Sequence, residues 1–197
     1  MAKTIEKRVE ELERIVKQLQ KEKSISIKKK LNVGDTFELV GLTWKILDIT
    51  EKGYKCIAEK LKDNKIFGSN NDWKESSIRK YLNEEFYKEL AGAIGEENII
   101  PFERNLFSLD GQTEYGTCED KVSIISLDEY RQYRALLPNE EFWWWTLTPD
   151  TTKCNGNESW LRVVCPSGYF SNGYYYSFNG VRPFCIFSST IFESEEE

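Results

Sequence analysis

The chain has 197 residues, 40% of them hydrophobic and 14% aromatic, with a formal net charge of −6, five cysteines and no histidine. This length suits one domain with an appendage, and the apolar content can fill a real core. The missing histidine removes the commonest general base and the commonest metal ligand together, the acidic balance argues against nucleic acid as a partner, and no apolar run nears the ~20 residues of a membrane span.

Ser-His and Cys-His nucleophilic catalysis are therefore excluded in this chain. Cys56, Cys118, Cys154, Cys165 and Cys185 are odd in number and show no CxxC spacing, which disfavours a disulfide framework or a zinc site. They are expected to be reduced, mostly buried, small apolar residues. No metal, cofactor or catalytic residue is expected. Met1–Glu10 is too charged for a signal peptide, which points to synthesis in a cytoplasm.

Thr4–Lys23 has the pattern of a helix. Ile5, Val9, Leu12, Val16 and Leu19 form a heptad seam, with Val9 and Val16 at a and the other three at d. The stripe is narrow and flanked by Glu and Lys, which favours self-association over docking of a single amphipathic helix on its own domain. Fewer than three heptads are marginal alone, so the globular part must help to hold any oligomer. Residues 1–30 hold ten Lys/Arg against five Glu, net +5, and the remainder holds 17 against 28 acidic residues, net −11. The expected organisation is a coiled-coil helix and joint over 1–30, a ligand-binding domain over 31–192, and an acidic tail over 193–197.

Val33–Thr50 reads as two strands turning at Gly41, and Tyr54–Lys60 as a third. Ser76–Ala91 is an amphipathic helix in which Ile78, Tyr81, Leu82, Phe86 and Leu90 share a face, with Asp72 or Ser76 as its cap. Ile99–Asp120, with Pro101, Gly111 and Gly116, reads as irregular. Val122–Ile125 is a strand and Leu127–Leu136 a helix capped by Ser126. Phe142–Thr148 and Trp160–Cys165 are strands, and further short strands run to Phe187. Helices mixed with scattered antiparallel strands give an α+β fold.

The most distinctive stretch is Tyr169–Gly180, built only from Tyr, Phe, Ser, Asn and Gly, with four of the ten tyrosines between Tyr169 and Tyr176. Between Ser159 and Phe192 the only charges are Arg162 and Arg182. Tyr supplies rigid amphipathic contact area and Ser, Gly and Asn supply adaptable hydrogen bonds, so this is a binding-loop composition. A Gly/Asn-rich β-meander packing its tyrosines on its own sheet is the alternative. Alternation along an extended chain sends Tyr174 and Tyr176 to one side and Tyr175 to the other, so one of the three is expected in the core. The same argument makes Trp143-Trp144-Trp145 a core strand, with Trp143 and Trp145 on one face. Arg182 is expected to serve as a structural ion pair or carbonyl clamp, and Arg162 and Arg79 similarly.

Several stretches resemble an uncharacterised domain family of phage and gut-bacterial proteins. VGDTFELVGLTWKIL resembles its opening hairpin, and NDWKESSIRKYLNEEFY and DKVSIISLDEYRQY resemble its two helices. WWWTLTPD, LRVVCPSG and NGVRPFCIFSS, with the Gly-Val-Arg-Pro motif, resemble its C-terminal core. The resemblance spans roughly residues 32–190 and implies a C-type-lectin-like fold of the kind shared with formylglycine-generating enzymes. Family members include variable proteins of diversity-generating retroelements, in which a reverse transcriptase randomises adenines so that AAY codons become NNY. Every residue of Tyr169–Gly180 has an NNY codon available.

The resemblance thus implies a non-catalytic display protein. Its ligand-binding residues would be Asn155, Asn157, Ser159, Tyr169, Ser171, Asn172, Tyr174, Tyr175, Tyr176, Ser177 and Asn179, facing a protein or glycan on a cell surface, with virion association implied for a phage member. The alternative is a fixed particle protein using the same surface as a subunit interface. The lectin-type calcium motifs Glu-Pro-Asn and Gln-Pro-Asp are absent, which disfavours calcium-dependent sugar binding. Cys165 and Cys185 fall in the half of the chain where a copper-cysteine oxidase of this fold would carry its thiols, without its motif.

Overall fold

Alternating apolar residues after Val33 fold as a hairpin of β1 (Thr36–Leu39) and β2 (Leu42–Thr50), in a computed structural model that describes residues 31–192 together with Arg8 and Glu11. Val40 and Gly41 turn the hairpin with φ of 47° and 74°, the left-handed pair that a two-residue connection requires. β3 (Gly53–Ala58) continues the meander, and β4 (Asp63–Lys65) leaves it for the second sheet. The expected seam Ile5, Val9, Leu12, Val16 and Leu19 lies outside the described residues, as does the tail 193–197.

Both expected caps are used. Asp72 accepts from the Lys74 amide and opens a 3₁₀ turn at Trp73–Glu75, while Ser76 accepts from the Arg79 amide and opens α1 (Ser77–Tyr81). The helix continues through a π-helical turn, Leu82–Phe86, into α2 (Tyr87–Ile94). The π turn aims Asn83 at the next layer, where its Oδ1 accepts from the amides of Lys121 (3.0 Å) and Val122 (3.1 Å) and its Nδ2 donates to the Val122 carbonyl (2.7 Å). Ile78, Leu82, Phe86 and Leu90 bury the apolar stripe.

The stretch Ile99–Asp120 is more regular than its sequence suggests. It contains β5 (Ile99–Ile100) and a separate hairpin of β6 (Phe102–Asn105) and β7 (Thr117–Asp120). Apolar alternation is hidden there because the inward residues of β6 are Phe102 and Arg104, the latter 4% exposed and paired through both terminal nitrogens with Glu129 (2.7 and 2.6 Å). β8 is only Val122–Ser123; Ile124 and Ile125 are buried without continuing the strand. Ser126 and Glu129 form a capping box at the start of α3 (Leu127–Tyr133).

The C-terminal third supplies β9 (Trp144–Pro149), β10 (Trp160–Val164), β11 (Phe170–Tyr174), β12 (Asn179–Val181) and β13 (Phe184–Phe187). One sheet runs β1-β2-β3-β13-β5, with β8 also paired to β13; the other runs β11-β10-β9-β12-β4. The architecture is α+β. Among the described residues no helix is long and apolar enough to cross a membrane.

Arg182, fully buried, ties the sheets together. Its Nε and Nη2 donate to the carbonyls of Ala58 and Glu59 (both 3.0 Å), and its guanidinium lies 4.9 Å from the Trp144 ring. Burial pulls its pKa down to about 10, opposed by the nearby carboxyls of Glu140 and Glu59. Arg79 does comparable work from α1. Its Nε meets Asp120 at 2.7 Å, and Asp120 also accepts from the Trp73 indole at 2.7 Å.

Candidate functional site

Strand pairing divides the Tyr-rich segment between two faces. β11 pairs with β10 so that Ser171 stands opposite Val163 and Gly173 opposite Leu161, both buried in the main core. Directly opposed residues share a face, so Ser171 and Gly173 face inward and Phe170, Asn172 and Tyr174 face outward. A Cβ on Gly173 would lie 2.8 Å from a Val163 methyl, 3.2 Å from the Trp145 ring and 3.3 Å from Asn179 Nδ2. The Asn179 amide therefore sits beneath the strand, away from the outward side chains. Tyr175 also turns inward and packs against the core, while its amide donates to the Ser159 carbonyl at 3.0 Å.

The outward residues gather into an aromatic surface. Tyr174 meets Trp160 edge-on with ring centroids 4.6 Å apart, and Tyr176 at 4.3 Å. Tyr176, in the turn that follows β11, is 58% exposed, and Phe178, between that turn and β12, 76%. That turn is closed by the Ser177 amide donating to the Tyr174 carbonyl at 2.7 Å. At the other end of the hairpin Tyr169, 59% exposed, meets Trp143 edge-on with centroids 6.3 Å apart. Arg131 of α3 lies over Phe170, 5.1 Å from its ring.

Trp143 corrects the reading of the three tryptophans. It precedes β9 and is 38% exposed, whereas Trp144 and Trp145 are buried on opposite faces of the strand. Trp160, Phe170 and Phe178 also belong to the aromatic surface without having been singled out. The signal for Phe178 was available: it lies in the same charge-free run as the tyrosines. Trp143 was hidden by the assumption that its strand began before it.

The polar members are less free than their composition suggests. The Asn155 amide donates to Asp110 Oδ2 (3.1 Å) and Thr151 Oγ1 (3.0 Å), and Asn157 Oδ1 accepts from the Ser159 amide (3.1 Å). Asn172 stands opposite Arg162, which pairs with Asp150 at 2.7 Å. Burial pushes the Asp150 carboxyl above its ordinary range; Arg162 and Asn172 act in the opposite direction. This is a neutralised polar floor between the aromatic groups.

Clefts among the described residues lie elsewhere. One of about 1020 Å³ runs along α1 and the π turn beside Arg79, Asn83 and Lys121; one of about 360 Å³ lies between β6 and α3 beside Phe107, Leu109 and Arg131. Neither is lined by a residue of Tyr169–Gly180, so the aromatic surface is not the wall of either cleft. The five thiols are free; Cys185 stands opposite Cys56 across β13 and β3, and Cys165 lies in the other sheet's β10–β11 turn. Cys165 and Cys185 are thus not strand partners.

Residues 45–141 match the profile of a family described as a domain of unknown function (DUF6273). The matched span begins within β2 and ends before β9, so it contains the helices but neither β1 nor the Tyr-rich segment. No curated protein and no solved structure matches the chain.

Proposed function

We propose that the protein is a non-catalytic display protein with a C-type-lectin-like fold, the variable protein of a diversity-generating retroelement in a phage or bacterium. It binds a protein or glycan on a cell surface through the outward side chains of Tyr169–Asn179. The observation that carries this reading is the exposure of Tyr176 beside the Trp160–Tyr174 pair, with Tyr169 and Phe178 also exposed on the same segment, which has not a single charge. Monomeric surfaces rarely leave contiguous aromatic area open to water unless it meets a partner. Aromatic anchors surrounded by neutral polar groups match the make-up of an interface core.

The scaffold suits diversification. Gly173 and Tyr175 hold the segment to the core, so outward side chains can change identity without moving the chain. Self-association through Ile5, Val9, Leu12, Val16 and Leu19 would raise weak single-site affinities by avidity. The reading includes no nucleic-acid partner and no insertion into a membrane.

Deep amplicon sequencing of the last third of the gene from a natural population tests the reading. Substitutions confined to adenine-derived positions across Tyr169–Asn179, beside an unchanged Val181–Ser188, are the expected result. Uniform reads, or changes scattered without regard to those positions, would overturn diversification and leave a fixed particle protein with a subunit interface at this surface.

A further inference from the structure

Among the described residues β11 is the terminal strand of its sheet, and none of them pairs with its outer backbone edge. The flanking hydrogen bonds fix which groups face outward. The Cys165 amide donates to Tyr169 and the Tyr175 amide donates to Ser159, both across the β10 side. Antiparallel alternation then turns Tyr169, Ser171, Gly173 and Tyr175 toward β10, and turns the amides and carbonyls of Phe170 and Asn172 to the free edge.

Open edges are ordinarily guarded by charge, proline or a bulge. The opposite edge of the same sheet, β4, carries Asp63 and Lys65, and the edge strand β1 of the other sheet carries Glu38. β11 reads Phe-Ser-Asn-Gly-Tyr, with no charge, no proline and a regular register against β10 over all five residues.

The geometry points to a second copy of this chain as the occupant of that edge, paired antiparallel β11 to β11 about a two-fold axis at Asn172. The strand is self-complementary in that register. Phe170 meets the partner's Tyr174, and Ser171 meets the partner's Gly173. Aromatic cross-strand pairs form on the outward face, and the bulkier inward residue meets the one without a side chain. No like charges meet, although each chain carries a net charge of −6 that opposes approach through its acidic surfaces. A two-fold pairing closes on itself, and joining two five-stranded sheets gives ten strands, within the ordinary range for one sheet. The edge does the joining through backbone groups, so the Trp160–Tyr174–Tyr176 surfaces of both copies stay on one continuous face. This contact is independent of the coil seam and goes beyond the display reading, because it holds whether or not the segment is diversified.

The test is cysteine cross-linking in the full chain. Asn172 on the axis faces its own copy as a hydrogen-bonded pair, with Cα atoms about 5.5 Å apart, inside the range a disulfide spans. With exposed Cys154 replaced by Ser, Asn172→Cys is expected to give a disulfide-linked dimer as its main product under mild oxidation. Glu103→Cys, on the exposed face of β6, should stay monomeric on the same denaturing gel. Asn172→Pro removes only the outward amide, which an edge strand tolerates. In that variant the protection of the Phe170 amide from hydrogen exchange, expected in the wild type at high concentration, should be lost while the Ser171 and Gly173 amides stay protected. Cross-linking of Asn172→Cys no faster than of Glu103→Cys, or a Phe170 amide that exchanges freely at every concentration, would overturn the pairing. Neither outcome bears on the sequencing test of diversification.

Discussion

Trp143-Trp144-Trp145 and Tyr174-Tyr175-Tyr176 are two aromatic triplets with opposite fates. In the first, two of three rings are buried and the leading one is half-exposed; in the second, only the middle ring packs on the core and its neighbours form a surface. Composition does not separate them. Trp144 and Trp145 lie on a central strand covered on both faces, by α3 and the second core on one side and the main core on the other. Tyr174 ends an edge strand with a covered inner face and an open outer one. The position of a strand in its sheet decides whether an aromatic residue stabilises the fold or is free to recognise something else.

The contrast is most sharply broken by cavity substitutions. Trp145→Ala is expected to cost about 3–5 kcal/mol of unfolding free energy, read from denaturant midpoints at constant m. Trp144 depends in turn on α3, whose Tyr130 meets it edge-on at 5.5 Å and whose Glu129 is anchored by Arg104. Burial pushes the Glu129 carboxyl up, but its pairing with Arg104 and the Ser126 amide outweigh this and hold it below the ordinary value. A lowered folded-state pKa contributes stability that is present above the unfolded value of 4.5 and is lost as pH falls through the folded one. Glu129→Gln is therefore expected to cost roughly 3 kcal/mol at neutral pH, leaving Arg104 buried without its charge partner, and to flatten that acid limb. Unfolding curves at stepped pH check both parts.

Gly173→Val drives a side chain toward Val163 and Trp145, and about 2 kcal/mol of destabilisation is expected. Tyr176→Ala, on the open side, should change stability by less than about 0.5 kcal/mol. A Tyr176→Ala cost as large as that of Gly173→Val would mean the outward rings are structural and the contrast between the triplets is false.

Much of this was legible from local chemistry. Ser126 with Glu129 three residues on announces the cap of α3, and Asp72 and Ser76, candidate caps by residue type, each open a helical turn. Alternation predicts one of Tyr174, Tyr175 and Tyr176 in the core, and Tyr175 packs there, although the strand ends at Tyr174 and Tyr175 and Tyr176 lie in the turn that follows. What was hidden depends on distant partners. The β6–β7 hairpin turns a charged residue inward, and distant partners, Glu129 25 positions away and the Ile124 carbonyl, make that tolerable. Asp120 gives no sign in sequence that Trp73 and Arg79 converge on it. Asn155 and Asn179 look like free recognition groups until Asp110 and Gly173 are seen beside them.

The most direct test of a display surface on a fixed frame is a saturation scan of residues 169–180 read by protease resistance of the displayed folded chain. Tyr169, Asn172, Tyr174, Tyr176 and Phe178 are expected to accept nearly any residue encoded by NNY, while Ser171, Gly173, Tyr175 and Gly180 reject large or charged ones. Equal tolerance at both sets, or rejection concentrated at Tyr176 and Phe178, would contradict the account.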